Sequence, residues 1–155
     1  MGMDVVGKNP TSNEGQHFRR NVWVWHPLAD ICDEFGGAVA AKVESWCTND
    51  GCGLDDADSK TLADMLDEAR VIGRIALYVE TRNRLLARMP DEPCSICGGT
   101  GKRREVPDIG PGDKPCNGCG ATGSVRPFDT NFHVSVEDVQ EFATFLRASG
   151  GFEIW

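Results

Sequence analysis

Four cysteines constrain this chain more than any other feature. Cys94-Ser-Ile-Cys97 and Cys116-Asn-Gly-Cys119 are two C-x2-C pairs separated by eighteen residues. That spacing lies within the range used by zinc sites. Two residues between cysteines allow a tight turn that aims both thiolates at one ion. Two such turns supply four sulfurs in a tetrahedron, each about 2.3 Å from the metal. Both pairs continue in the same way, so C-x-x-C-G-x-T-G occurs twice, at 94–101 and 116–123. The glycines let the chain double back and bring backbone N–H groups close to sulfur. Four thiolates leave no position open for water, so the expected cofactor is one structural Zn2+ held by Cys94, Cys97, Cys116 and Cys119. Redox use of a C-x-x-C goes with a thioredoxin-like βαβ unit, and the flanking sequence does not read as one.

The rest of the composition narrows the setting. With 155 residues, 40% hydrophobic and 26% charged, the chain suits one small domain with an appendage. The net charge of −8 disfavours nucleic acid, whose binding calls for a clustered positive face. A basic partner surface suits the chain better. No run approaches ~18 apolar residues, so no membrane span is expected. Residues 1–10 lack the basic-then-apolar pattern of a signal peptide. The expected location is cytoplasmic, where cysteines are thiols or metal ligands rather than disulfides.

Apolar spacing organises the remainder. Met3–Val6 reads as a short strand and the residues after it, up to Asn21, as loop. Asn21–Trp25 is either a strand or an irregular segment that pins two Trp rings. Pro27 suits the first turn of a helix. From Leu28 to Cys47 apolar residues recur at steps of three and four, with Gly36-Gly37 dividing two short helices. Thr48–Ser59 reads as a polar loop, and its carboxylates lack the alternation of a calcium loop. One long helix is expected from about Lys60 to Arg88, ended by Pro90 and Pro93. Ser135 opens the last helix with a capping-box pattern, and Gly150-Gly151 stops it. Phe152–Trp155 is a candidate strand to pair with Met3–Val6. The expected fold is α+β: a mainly helical small domain with a short terminal sheet and a pair of hairpins clasped by zinc through four cysteines. The expected regions are 1–90, a zinc module at 91–127, and a returning helix and strand at 128–155.

Two resemblances follow from these residues. C-x-x-C-x-G-x-G is the signature of the cysteine-rich zinc module of DnaJ-type (Hsp40) co-chaperones. Cys94–Gly101 matches it in full, whereas Cys116–Gly123 departs at Ala121, where that signature has Gly. The DnaJ module has four repeats and two zincs; this chain has two repeats and room for one. It also has no J-domain His-Pro-Asp, since His26-Pro27-Leu28 is not that motif. The resemblance implies a local fold and no co-chaperone activity. The flanks, MGMDVVGKNPTSNEGQHFRRNVWVWHPLADIC and SVEDVQEFATFLRASGGFEIW, resemble a family of small uncharacterised phage and prophage proteins. That resemblance implies a class of work: accessory proteins that bind, redirect or inhibit a host or antiviral-defence protein in the bacterial cytoplasm.

Other residues carry weaker expectations. Cys32 and Cys47 fall on apolar helix positions and read as core, while Cys47, Cys52 and His26 form the alternative set for a second metal. Lys102, Arg103 and Arg104 lie between the two half-sites and are the candidate contact for a phosphate or an acidic partner. Trp23, Trp25 and Trp155 are core residues or interface anchors. Nothing in the sequence brings His17, His26 or His133 to a nucleophile. The leading function is therefore a non-catalytic protein-binding accessory factor with a host protein as partner. The alternatives are a nucleic-acid-binding zinc module, and a nucleotide-binding protein or enzyme.

Overall fold

A computed structural model describes residues 2–105 and 109–155. In chain order the elements are β1 (Gly2–Gly7), β2 (His17–Asn21), α1 (Val22–Ala40), β3 (Gly53–Leu54), α2 (Asp56–Val71), α3 (Arg74–Arg88), β4 (Glu92–Pro93), β5 (Lys102–Arg103), β6 (Lys114–Pro115), β7 (Ser124–Val125), α4 (Val136–Ala148) and β8 (Phe152–Ile154). The fold is α+β and mainly helical. It divides into two compact units: the chain up to Asn83 together with Phe132–Trp155, and Arg84–Asn131.

The first unit is built on an antiparallel sheet in the order β2-β1-β8-β3. Val5 pairs with Phe18 on one side and Ile154 on the other, so the tail does pair with the N-terminal strand. Alternation turns Met3 and Val5 inward, beside Phe18, Leu54, Phe152 and Ile154. Helix α4 lays Val139, Phe142, Ala143, Phe145 and Leu146 on the same core, and α2 adds Leu62, Ala63, Leu66 and Ala69. The capping box forms as its residues predict. The Asp138 amide donates to Ser135 Oγ at 3.1 Å, and Asp138 Oδ2 accepts from the Ser135 amide at 2.9 Å. Arg20 of β2 donates to the same carboxylate at 3.0 Å, tying sheet to helix.

Four local expectations are corrected. Residues 17–21 are a strand rather than loop, because pairing with β1 supplies what five mostly polar residues do not. Residues 22–25 open a helix, since the Asn21 side chain accepts from the Val24 amide at 3.1 Å and caps it. Pro27 consequently lies beyond the first turn, where it removes the donor for the Trp23 carbonyl. The His133 amide donates there instead, at 2.9 Å. Helix α1 is kinked at Gly37, with φ 51° and ψ −129°, as the Gly36-Gly37 pair predicts. The polar loop at 48–59 contains β3 and, from Asp56, the start of α2; Asp55 caps that helix by accepting from Asp58 at 2.8 Å.

The expected single helix from Lys60 to Arg88 is two helices. Gly73, at φ +81°, separates α2 from α3. Around this turn the apolar pattern changes face. Ile75 becomes fully buried, while Val71, Ile72 and Leu77 are left 74, 62 and 65% exposed.

Candidate metal centre

The second unit has little apolar material. Its core is Cys94, Cys97 and Cys116, flanked by Ile96, Cys119 and Val125. Two short ladders frame it: β4 pairs with β7, and β5 with β6. All four sulfurs lie within 4.8 Å of one another, three of the cysteines are buried and Cys119 is half-buried. Cys94 and Cys116 Sγ stand 3.9 Å apart, as do Cys97 and Cys119. Sulfurs bound about 2.3 Å from a tetrahedral ion stand about 3.8 Å apart. These two sulfur pairs are therefore already at the spacing that a zinc ion requires, and no disulfide joins the four cysteines. The chain is a zinc-binding protein with one four-thiolate site.

The internal repeat has a structural cause. Each half sends the amide of a glycine to its second cysteine: Gly101 to Cys97 Sγ at 3.3 Å, Gly123 to Cys119 Sγ at 3.2 Å. Such donors stabilise thiolate charge and orient the ligand. The halves also bind each other. The Cys94 amide donates to the Gly123 carbonyl at 2.9 Å, and the Cys116 amide to the Gly101 carbonyl at 2.9 Å. A Cβ on Gly101 would meet the Ala121 carbonyl oxygen at 2.4 Å, and a Cβ on Gly123 would meet that of Gly99 at 2.4 Å. Thr100 and Thr122 tie the turns: each hydroxyl donates to the carbonyl of its preceding cysteine, at 2.8 and 2.6 Å. The repeated Thr and Gly are thus parts of a two-fold clasp. The glycine amides reach sulfur as the sequence predicts, whereas the role of the two threonines was visible there only as repetition.

Metal binding here displaces protons. Burial works to raise both Cys97 and Cys116. At Cys97 the Gly101 and Gly99 amides, with the Cys119 and Cys94 thiols, outweigh it and bring the thiol down to about 7. At Cys116 burial prevails over the Gly118 and Cys119 amides, and the same two thiols add to the rise, to about 11. A cation displaces these protons, so zinc affinity falls as pH falls.

Ala121 marks an imperfection. It holds φ 66°, a left-handed backbone that its counterpart Gly99 adopts freely at φ 87°. A side chain there costs about 1 kcal/mol. Ala121→Gly is expected to stabilise the zinc-loaded module by about that amount, read as a higher chelator concentration needed to release half the zinc. An unchanged or lower value would show that the Ala121 backbone is not strained.

The other candidates disperse. Lys102 and Arg104 are exposed and Arg103 is half-buried. Arg104 donates to the Pro111 carbonyl at 3.1 Å, so part of this basic group is engaged within its own hairpin. Cys32 is fully buried, and burial followed by the charge of Asp33 pushes its thiol far up. Cys47 is exposed, not core, because α1 ends at Ala40 and residue 47 lies in the irregular segment that follows. Cys52 packs at the core margin. Cys47, Cys52 and His26 do not assemble as a ligand trio: among the described residues only the four cysteines of the zinc centre gather as one. Trp25 is core, its indole donating to the Trp46 carbonyl at 2.6 Å, whereas Trp155 is 51% exposed. No helix among the described residues is long and apolar enough to cross a membrane. Compared with protein-family models, curated proteins and solved structures, the chain has no match in any of the three.

Proposed function

We propose that this zinc-binding chain is a phage or prophage accessory protein that acts by binding, and thereby inhibiting, a host protein. The observation that carries the binding reading is the elbow between α2 and α3. Within seven residues it leaves Val71, Ile72 and Leu77 more than 60% exposed. Large apolar side chains left in water this near one another in the chain are a mark of an interaction surface. A groove lined by Phe35, Met65, Glu68, Ala69, Ile72 and Arg74 adjoins it. The partner that fits is a protein segment with apolar anchors and a basic surround, since the chain carries −8. The closed thiolate site supports a structural rather than catalytic zinc. The phage setting and the host target rest on the resemblance of the flanks.

The test uses the zinc-loaded protein and an Ile72→Asp/Leu77→Asp variant as baits in nuclease-treated host lysate. The captured protein is identified and its affinity then measured with purified components. One host protein, bound at least ~10-fold more weakly by the variant at an unchanged melting point, is expected. Retention of nucleic acid or nucleotide, with no protein, overturns the reading and favours the alternatives. Equal affinity for the variant removes the elbow as the interface.

A further inference from the structure

The four thiolates of the clasp are not equally protected. Cys94, Cys97 and Cys116 are buried, whereas Cys119 is half-buried. The two halves of the repeat also differ in the residue ahead of the second cysteine, which is Ile96 in the first and Gly118 in the second. Ile96 packs on the sulfur cluster, and Gly118 has no side chain with which to do so. Cys119 has a partner within reach. Its Sγ stands 3.9 Å from that of Cys97, the second cysteine of the other half. These two sulfurs occupy equivalent places, each accepting a glycine amide four residues on. The exposed thiol of the first unit is in a different state. Cys47 Sγ stands 3.8 Å from His26 Nδ1, and partial desolvation of the sulfur, then the charges of Asp30 and Asp33, push its thiol up. Cys47 is thus held as a thiol, whereas a zinc ligand is a thiolate, the form that attacks an oxidant.

We infer that Cys119 is a modification site for peroxides, and that its oxidation links it to Cys97 and releases the zinc. With hydrogen peroxide the Cys119 thiolate attacks one oxygen, the O–O bond breaks and hydroxide leaves, which puts a sulfenic acid on Cys119. The Cys97 thiolate then attacks that sulfur, a second hydroxide leaves, and an S–S bond of about 2.05 Å forms. Two thiolates have given two electrons to one peroxide, which ends as two hydroxides. Two thiolates, Cys94 and Cys116, remain, and a pair of thiolates no longer fills a tetrahedral zinc site. The new bond crosses between the halves of the repeat. It is therefore not a disulfide within one C-x-x-C, and it needs no thioredoxin-like unit around it. A dithiol reductant returns both thiols by exchange, so the zinc unit answers reversibly to oxidant.

The experiment treats zinc-loaded, full-length protein with increasing hydrogen peroxide. A chromophoric chelator reads the zinc released. Samples taken at the earliest release are quenched in acid, alkylated with N-ethylmaleimide and mapped by mass spectrometry. One Cys97–Cys119 disulfide is expected for each zinc released, with Cys94 and Cys116 recovered as thiols. A dithiol reductant is expected to restore one equivalent of zinc. Cys119→His keeps a zinc site of three cysteines and one histidine, and is expected to release zinc at least ~10-fold more slowly. Zinc retained by the unaltered protein after Cys47 has been oxidised overturns the inference. So does an early disulfide of any other pairing, or a Cys119→His protein that loads zinc and releases it as fast. If that variant does not load zinc, the map of the unaltered protein decides by itself.

Discussion

Cys97→Ser is expected to release zinc from the chain and unfold residues 84–131, while the melting of the other unit is retained. The reason is how little else holds that segment together. Its buried interior is three cysteines, with two aliphatic side chains and Cys119 at the margin. Its ladders are two residues long. Small units of this kind lack the apolar burial to offset chain entropy. Zinc supplies what is missing: in small Cys-rich modules it contributes apparent folding energy of about 10–16 kcal/mol at neutral pH. Serine removes one ligand and leaves a poor oxygen donor among three thiolates. It also takes the acceptor from the Gly101 amide, which now donates to sulfur at 3.3 Å. Elemental analysis and limited proteolysis read the result. Zinc should fall from one equivalent to near none, and cleavage should concentrate between residues 84 and 131. A chelator acting on the unaltered protein should do the same. If the variant keeps stoichiometric zinc and resists proteolysis as before, the clasp has been misidentified.

Legibility in the sequence followed the range over which each cause acts. The zinc ligands were readable because C-x2-C spacing and its repetition are local. The same holds for α4, whose cap, apolar face and glycine stop occupy consecutive residues. The kink in α1 was readable from Gly36-Gly37. A lone glycine was less informative: Gly73 sits inside a continuous helical pattern, and only the backbone turn there shows that two helices are present. That error concealed the elbow, because a single helix would have directed Ile72 along the buried face. Strand β2 was unreadable for the opposite reason. His17, Arg19 and Arg20 carry no strand signal, and the pairing comes from β1, more than ten residues away. The approach of Cys47 to His26 has no counterpart in local sequence at all, since it depends on how the segment after α1 folds back. Charge described the partner only coarsely. It argued against nucleic acid and pointed to a basic protein surface, without locating where either would bind.

Phe142→Ala is expected to have the largest effect on the first unit and none on the zinc. Phe142 is fully buried at the centre of an aromatic cluster. Its ring lies 5.0 Å from Phe18, 5.7 Å from Trp25, 5.9 Å from Phe145, 6.1 Å from Phe152 and 6.5 Å from Trp46, centroid to centroid. These neighbours come from β2, α1, α4, β8 and the segment after α1, so one ring joins most of the unit. Several of the pairs are edge-on, as between Phe142 and Trp25 at 86°, a geometry that adds to simple burial. Truncation leaves a cavity that rigid rings fill poorly, and such changes cost about 3–5 kcal/mol. Against a typical total of about 5–15 kcal/mol, that is a large fraction. Thermal unfolding followed by tryptophan fluorescence should show a melting point lower by roughly 10–20 °C. Phe142→Leu, which keeps most of the volume, should cost less than half as much. Zinc content should stay at one equivalent in both variants, because the clasp shares no core residue with this cluster. A loss of less than about 1 kcal/mol in the alanine variant would mean that the cluster can collapse around the gap. Zinc released together with unfolding would mean that the two units depend on each other for stability.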